Sequence, residues 1–151
     1  MKSNSFIKKG AVVAAHVIDK ETKEMDRRSM TGVLVGWYPT NQGDVAIVRE
    51  FEGEKIVTTD IDNVEPKVLD HDMLTTMDYV PDTNNFVYFN SKKDYLGFKY
   101  YFSYNIKTRI LHVRWLKDFM SAGLMKFRVR HVHELQMVYD ILEIKDDLEN
   151  D

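Results

Sequence analysis

The pattern of apolar and polar positions predicts β structure in the first part of the chain. Apolar residues alternate with polar or small ones in short runs, as they do in half-buried strands. Five such runs occupy residues 1–68: GAVVAAHVI, TGVLVGWY, DVAIVREF, KIVTTDI and KVL. Turn-forming segments separate them, and DNVEP before the last run suits a 3₁₀ turn. Five strands with no helix between them predict a small closed or nearly closed barrel.

This segment resembles the SH3-like barrels of the KOW and Tudor families. The resemblance lies in the order KKGAVV, TGVLVGWYP and DVAIVREFEGEKIVTTDIDNVEP, and it covers residues 6–68. Gly10, Gly32 and Val33 fall where a KOW element has its glycine and the hydrophobic residues that follow it. The resemblance implies a five-stranded SH3-like barrel over residues 1–68, of a kind that often binds nucleic acid.

The second part of the chain predicts a different kind of domain. Residues 69–85 lack a clear periodicity and end in Pro81 and a polar cluster, so we expect a linker there. Residues 86–151 predict a small α+β domain with an antiparallel sheet built from FVYF, GFKYYFSY, RILHVRW and MKFRVRHV. KDFMSAGL suits a short helix, and ELQMVYDILEI has the broad apolar stripe of a C-terminal helix.

Charge is distributed unevenly along the chain, which changes the meaning of its net charge of −3. Residues 92–130 contain ten lysines and arginines but only two acids, Asp94 and Asp118, whereas the chain ends in the acidic tail DDLEND. Aromatic residues are interleaved with these cations. Such a block favours a binding site for a polyanion. A solvated sheet surface and a docking site for an acidic protein patch are the alternatives.

The strand periodicity selects candidate binding residues from this block. On GFKYYFSY, Lys99 and Tyr101 share the face opposite to the apolar one, and neighbouring strands would add His112 to the same surface. The candidate nucleic-acid-binding residues of the basic domain are Lys99, Tyr101, Arg109, Arg114, Lys126, Arg128 and Arg130. A second, smaller cluster is expected from the loops of the barrel, with Lys8, Lys9, Arg27 and Arg28.

Other chemistry has weaker support in the sequence. His131 and His133 would project to one side of a strand as a metal pair, and His71 lies between two aspartates, but neither site has a third ligand. The chain has no cysteine, no glycine-rich phosphate loop and no nucleophile elbow. An aromatic cage of the methyl-lysine-reading Tudor kind would require Trp37, Tyr38 and Phe51 to cluster. We therefore expect no enzyme activity, no metal and no cofactor.

The sequence predicts a non-catalytic protein that binds nucleic acid, with double-stranded DNA of low sequence specificity as the expected partner. Lysine and arginine dominate the basic block, so phosphate contacts should outweigh base readout. The length and composition are similar to those of small phage accessory proteins of the MotB family of T-even phages. That resemblance implies modulation of transcription or of the host nucleoid in the cytoplasm of the infected host. The alternative function is a protein-interaction module that docks on a host factor such as RNA polymerase or a defence protein.

Overall fold

The computed structural model of the protein describes residues 8–18, 25–51, 53–93, 98–117 and 120–144. The chain forms two compact units that divide between Lys67 and Val68. Both contain an antiparallel sheet, and two short α-helices belong to the second. The predicted combination of a β unit and an α+β unit with a C-terminal helix therefore agrees with the secondary structure.

The first unit is one five-stranded antiparallel sheet with the strand order β4-β3-β2-β1-β5. Its strands are β1 (Val12–Ile18), β2 (Met25–Thr40), β3 (Gly43–Glu50), β4 (Ile56–Asp60) and β5 (Val64–Pro66), and a 3₁₀ helix (Ile61–Asn63) joins the last two. Strand β1 pairs with both β2 and β5. Strand β2 begins inside the polar segment DKETKEMDRRS, which the sequence predicts as a loop. Pairing of Met25 with Ile18 extends the ladder into that segment.

A small aliphatic core holds the first unit together. Alternate residues of β1, β2 and β3 point to one side, because successive strand residues face opposite ways. The buried core residues are Ala11, Val13, Ala15, Leu34, Ala46, Val48 and Val64. Thr59 is also buried, and its hydroxyl donates a hydrogen bond of 2.9 Å to the carbonyl oxygen of His16. The core thus excludes polar groups unless they have a partner.

The second unit is another five-stranded antiparallel sheet, with the order β10-β9-β8-β7-β6. Its elements are α1 (His71–Thr76), β6 (Val80–Pro81), β7 (Val87–Lys93), β8 (Lys99–Asn105), β9 (Ile110–Lys117), β10 (Met120–Arg128) and α2 (Val132–Ile141). Consecutive strands are neighbours, so the sheet is a meander. Among the described residues no helix is both long enough and apolar enough to cross a membrane.

Residues 69–85, predicted as a linker, carry helix α1 and strand β6. Asp70 caps α1, because its carboxylate accepts a hydrogen bond of 2.9 Å from the backbone N–H of Met73. Leu69, Leu74 and Tyr79 from this segment are buried in the second unit. The helix has only six residues, too few for an apolar period to be visible in the sequence. Likewise, KDFMSAGL is not helical where it is described, because strand β10 begins at Met120.

The helices cover one face of the second sheet. The ring of Phe102 on β8 lies 5.3 Å from that of Tyr139 on α2 and 6.5 Å from that of Tyr79, measured between centroids. On the same face, the hydroxyl of Tyr88 lies 2.6 Å from Nδ1 of His71 in α1. This face forms the core of the second unit, so side chains at the alternate strand positions point away from the helices.

Candidate nucleic-acid interface

The opposite face of this sheet collects five of the seven predicted binding residues of the basic domain. Because Phe102 and Tyr104 are buried under the helices, Lys99, Tyr101 and Ser103 point to the other side of β8. We define the open face by the outward positions of β7 to β10. They are Val87, Phe89, Ser91, Lys93, Lys99, Tyr101, Ser103, Asn105, Ile110, His112, Arg114, Leu116, Leu124, Lys126 and Arg128.

The strand register places the cations of the open face side by side. Tyr101 on β8 lies opposite Arg114 on β9, and Lys126 on β10 lies opposite His112 on β9. Lys126 and Arg128 are two residues apart on β10, which separates their Cα atoms by about 6.6 Å along the strand. The sequence therefore predicted correctly that these residues and Lys99 share a surface.

The open face is positively charged without internal compensation. Its described positions hold five lysines and arginines and no aspartate or glutamate. Among the residues that the structure describes, no ion pair joins Arg114, Lys126 or Arg128 to a carboxylate. Lys93 and Lys99 are directly opposite each other, an arrangement of like charges that destabilises a sheet. A bound anion would relieve this repulsion.

Tyr101 is flanked by two of these cations. The Nζ atom of Lys99 lies 5.1 Å from the centroid of its ring, and the Cζ atom of Arg114 lies 5.5 Å from the same centroid. Both distances are within the range of cation–π attraction. A ligand that contacts Tyr101 would thus meet two positive charges beside the ring.

Arg109, a predicted binding residue, is placed elsewhere. It lies in the turn between β8 and β9 with a φ of 62°, outside the ladder of outward-facing positions. Its guanidinium Nη1 donates hydrogen bonds of 2.6 Å to the carbonyl oxygen of Leu69 and 3.3 Å to the hydroxyl of Tyr104. Tyr104 in turn donates to the carbonyl oxygen of Val129 at 2.6 Å. Arg109 therefore ties the turn to the segment before α1.

Replacing Arg109 with alanine should destabilise the second unit by about 1–3 kcal/mol, because the Leu69 carbonyl loses a charged donor. Urea unfolding measures this loss. Lys107→Ala is the matched control, since Lys107 is an exposed cation in the same turn. If Arg109→Ala left stability unchanged and weakened nucleic-acid binding instead, Arg109 would be a binding residue after all.

Arg130 also leaves the predicted face. Strand β10 ends at Arg128, and the backbone then turns into α2. The backbone N–H of Arg130 donates to Oε1 of Glu134 at 3.0 Å, and its carbonyl accepts from Leu69. Its side chain is exposed. Arg130 is therefore a cation outside the open face.

The four cations of the second predicted cluster form two pairs at different places along the β1–β2 ladder of the first unit. Lys8 and Lys9 precede β1, near Leu34, whose carbonyl accepts a hydrogen bond from Gly10. Arg27 and Arg28 lie within β2 on the segment that pairs with the other end of β1. The two pairs thus occupy opposite ends of the β1–β2 ladder, and only the backbone of the arginines is described.

Two residues of the open face were missed as site residues. Phe89 and Lys93 on β7 point outward with Ser91, and Phe89 is 49% exposed. The sequence FVYFNSKK already shows these residues at alternate positions, but the strand predicted from it ended at Phe89. Extending the alternation through the lysines would have found both.

His131 and His133 lie at the start of helix α2. The two histidines do not lie on one strand as predicted, because His131 precedes α2 and His133 lies in its first turn. Their rings are stacked, with 5.6 Å between the centroids. Burial lowers the pKa of His133. Burial also raises the pKa of Glu134, but hydrogen bonds from the backbone N–H groups of Arg130 and His131, together with the His131 side chain, lower that pKa overall. Among the described residues, no group of three or more histidine, aspartate or glutamate side chains could hold a metal ion.

The aromatic residues of the first unit do not form a cage among the described side chains. Trp37 and Tyr38 are consecutive on β2, opposite Ala46 and Val45, and so point to opposite faces. They are 47% and 43% exposed. No ring contact joins either of them to Phe51 in the described part of the chain.

Comparison of the chain with protein-family models, with curated proteins and with solved structures gave no significant match.

Proposed function

We propose that the chain is a non-catalytic nucleic-acid-binding protein whose interface is the open face of the second unit. The observation that carries this proposal is the group of five lysines and arginines on one sheet face whose described positions hold no acidic residue. Phosphates are the groups that Lys and Arg bind without reading sequence. The Asn105 side-chain oxygen accepts hydrogen bonds from Lys107 and Thr108 in its own turn, so it is engaged within the fold. Low sequence specificity follows from this composition.

The first unit fits the proposal as an SH3-like barrel of the KOW or Tudor kind. Supporting features are its strand order, the pairing of β1 with both β2 and β5, and the 3₁₀ helix between the last two strands. With the MotB-like resemblance, this favours a phage protein that binds DNA in the host cytoplasm and modulates transcription or the nucleoid.

A second candidate function is docking on a host protein such as RNA polymerase or a defence protein. The exposed Trp37 and Tyr38 on β2 favour it, because large aromatic residues are enriched in protein interfaces. The two functions differ in salt response. Phosphate binding weakens steeply with salt, whereas an apolar docking surface responds less.

Fluorescence anisotropy with a labelled duplex of about 30 base pairs tests the proposal, at salt concentrations between about 50 and 200 mM. Five phosphate contacts predict a slope of about −4.5 for log affinity against log salt. A slope of at least half that size supports the proposal. Absence of binding to duplex and to single strands at the lowest salt would overturn it and direct attention to a protein partner.

A further inference from the structure

Two aromatic side chains stand on the open face beside the cations. Phe89 on β7 is 49% exposed, and Tyr101 on β8 is half-buried between Lys99 and Arg114. Neither ring belongs to the core, which lies on the other side of the sheet. An exposed phenylalanine in a phosphate-binding surface contributes nothing to phosphate binding, so it points to contact with another part of the ligand.

Between β7 and β8, the strand register places a serine opposite each ring. Phe89 lies opposite Ser103, and Tyr101 lies opposite Ser91. The two aromatic residues are therefore diagonal neighbours on one face, about 7–8 Å apart at Cα. On their other sides, Phe89 lies opposite Val80 on β6 and Tyr101 lies opposite Arg114 on β9. A flat group can therefore approach both rings on the side of the β7–β8 pair, where each ring faces a serine. Such paired rings are the platforms on which successive bases of single-stranded nucleic acids stack.

The width of the sheet disfavours readout of a duplex. Five strands at about 4.8 Å spacing span about 19 Å, which exceeds the ~12 Å width of the major groove of B-DNA. The face can therefore meet a duplex only at its phosphates, and the bases inside the duplex cannot reach Phe89 or Tyr101. A single strand presents phosphates and unstacked bases together.

We propose that the open face binds single-stranded nucleic acid in preference to duplex, with bases stacked on Phe89 and Tyr101 and phosphates held by the surrounding cations. This inference rests on the proposed function and names the form of nucleic acid that the face accepts. The cations beside Tyr101 then supply the phosphate contacts on either side of a stacked base.

Anisotropy titrations with oligo-dT, oligo-rU and a duplex test this preference, using the full chain and its Phe89→Ala and Tyr101→Ala variants. We expect tighter binding of a single strand than of the duplex. Each variant should lower affinity for the single strand about 5- to 100-fold with little effect on the duplex. The salt slope should stay unchanged, because neither variant removes a charge. The difference between oligo-dT and oligo-rU identifies the preferred sugar, and either preference agrees with the proposal.

Two controls separate stacking from other effects. Tyr101→Phe retains the ring and should keep the affinity. Phe86→Ala removes a phenylalanine that is 40% exposed, lies before β7 and packs under Lys107, so it should have no effect. Equal affinity for duplex and single strand, or single-strand binding indifferent to Phe89 and Tyr101, would overturn this inference. If this inference fails but affinity still falls steeply with salt, the proposed function stands. Absence of binding to all three probes would overturn both the inference and the proposed function.

Discussion

Replacing Arg114, Lys126 and Arg128 together with alanine should weaken duplex binding by about 10²–10³-fold at ~0.1 M salt. Each phosphate contact contributes about 0.9 to the slope of log affinity against log salt, which is close to a tenfold change in affinity at that concentration. The slope should accordingly become shallower by about 2.7. Anisotropy titration of wild type and variant over the same salt range measures both quantities.

The fold should survive this triple replacement. The three side chains are exposed, and no ion pair with a described carboxylate is lost when they are removed. Arg114 does give up its contact with the Tyr101 ring, which is worth about 0.5–1 kcal/mol at an exposed site. The thermal unfolding midpoint should therefore change little, and the loss of affinity can be assigned to the interface.

A matched variant tests whether position matters or only total charge. Lys55, Lys107 and Arg130 are three exposed cations that are not among the residues of the open face. Their combined replacement with alanine removes the same amount of charge, yet it should leave the salt slope within about one of wild type. If this control weakened binding as much as the interface variant, nucleic acid would respond to the net charge of the chain and the open face would have no special role.

The alternation in the sequence was sufficient to predict which residues share a face inside a strand. Lys99 and Tyr101 were separated correctly from Phe102 and Tyr104, because a strand repeats every two residues. The same rule failed at strand ends. Arg130 continues the alternation of Lys126 and Arg128, but β10 ends at Arg128. Arg109 precedes β9 at the spacing of the core residues Leu111 and Val113, and it lies in the turn with a φ of 62°. Where a strand ends depends on long-range pairing, which alternation does not report.

Other differences arise from pairing between distant segments. Strand β2 continues into a charged segment without apolar alternation because β1 offers it a partner, as the pairing of Ser29 with His16 shows. Helix α1 has an N-cap signal in Asp70, but its six residues are too few for the sequence to distinguish it from a loop. In both cases tertiary contacts outweigh weak local preference.

Replacing Gly32 with alanine should destabilise the first unit by about 1–3 kcal/mol. Gly32 lies on β2 opposite Glu50, and an added Cβ would lie 2.5 Å from the backbone oxygen of Arg49 and 2.5 Å from a methyl group of Val48. The backbone oxygen belongs to the neighbouring strand, so the two strands would have to separate. For a unit of this size, the expected fall in the unfolding midpoint is about 5–20 °C.

Gly36→Ala provides the control within the same strand. An added Cβ at Gly36 meets no atom within 4 Å, so this variant should unfold close to the wild-type temperature. Hydrogen exchange followed by mass spectrometry assigns the loss, because peptides from β1 to β5 should lose protection while those from β7 to β10 keep it. Equal stability of the two variants would mean that the close approach at Gly32 relaxes without cost. A clear difference would show that this glycine is needed for the spacing of β2 and β3.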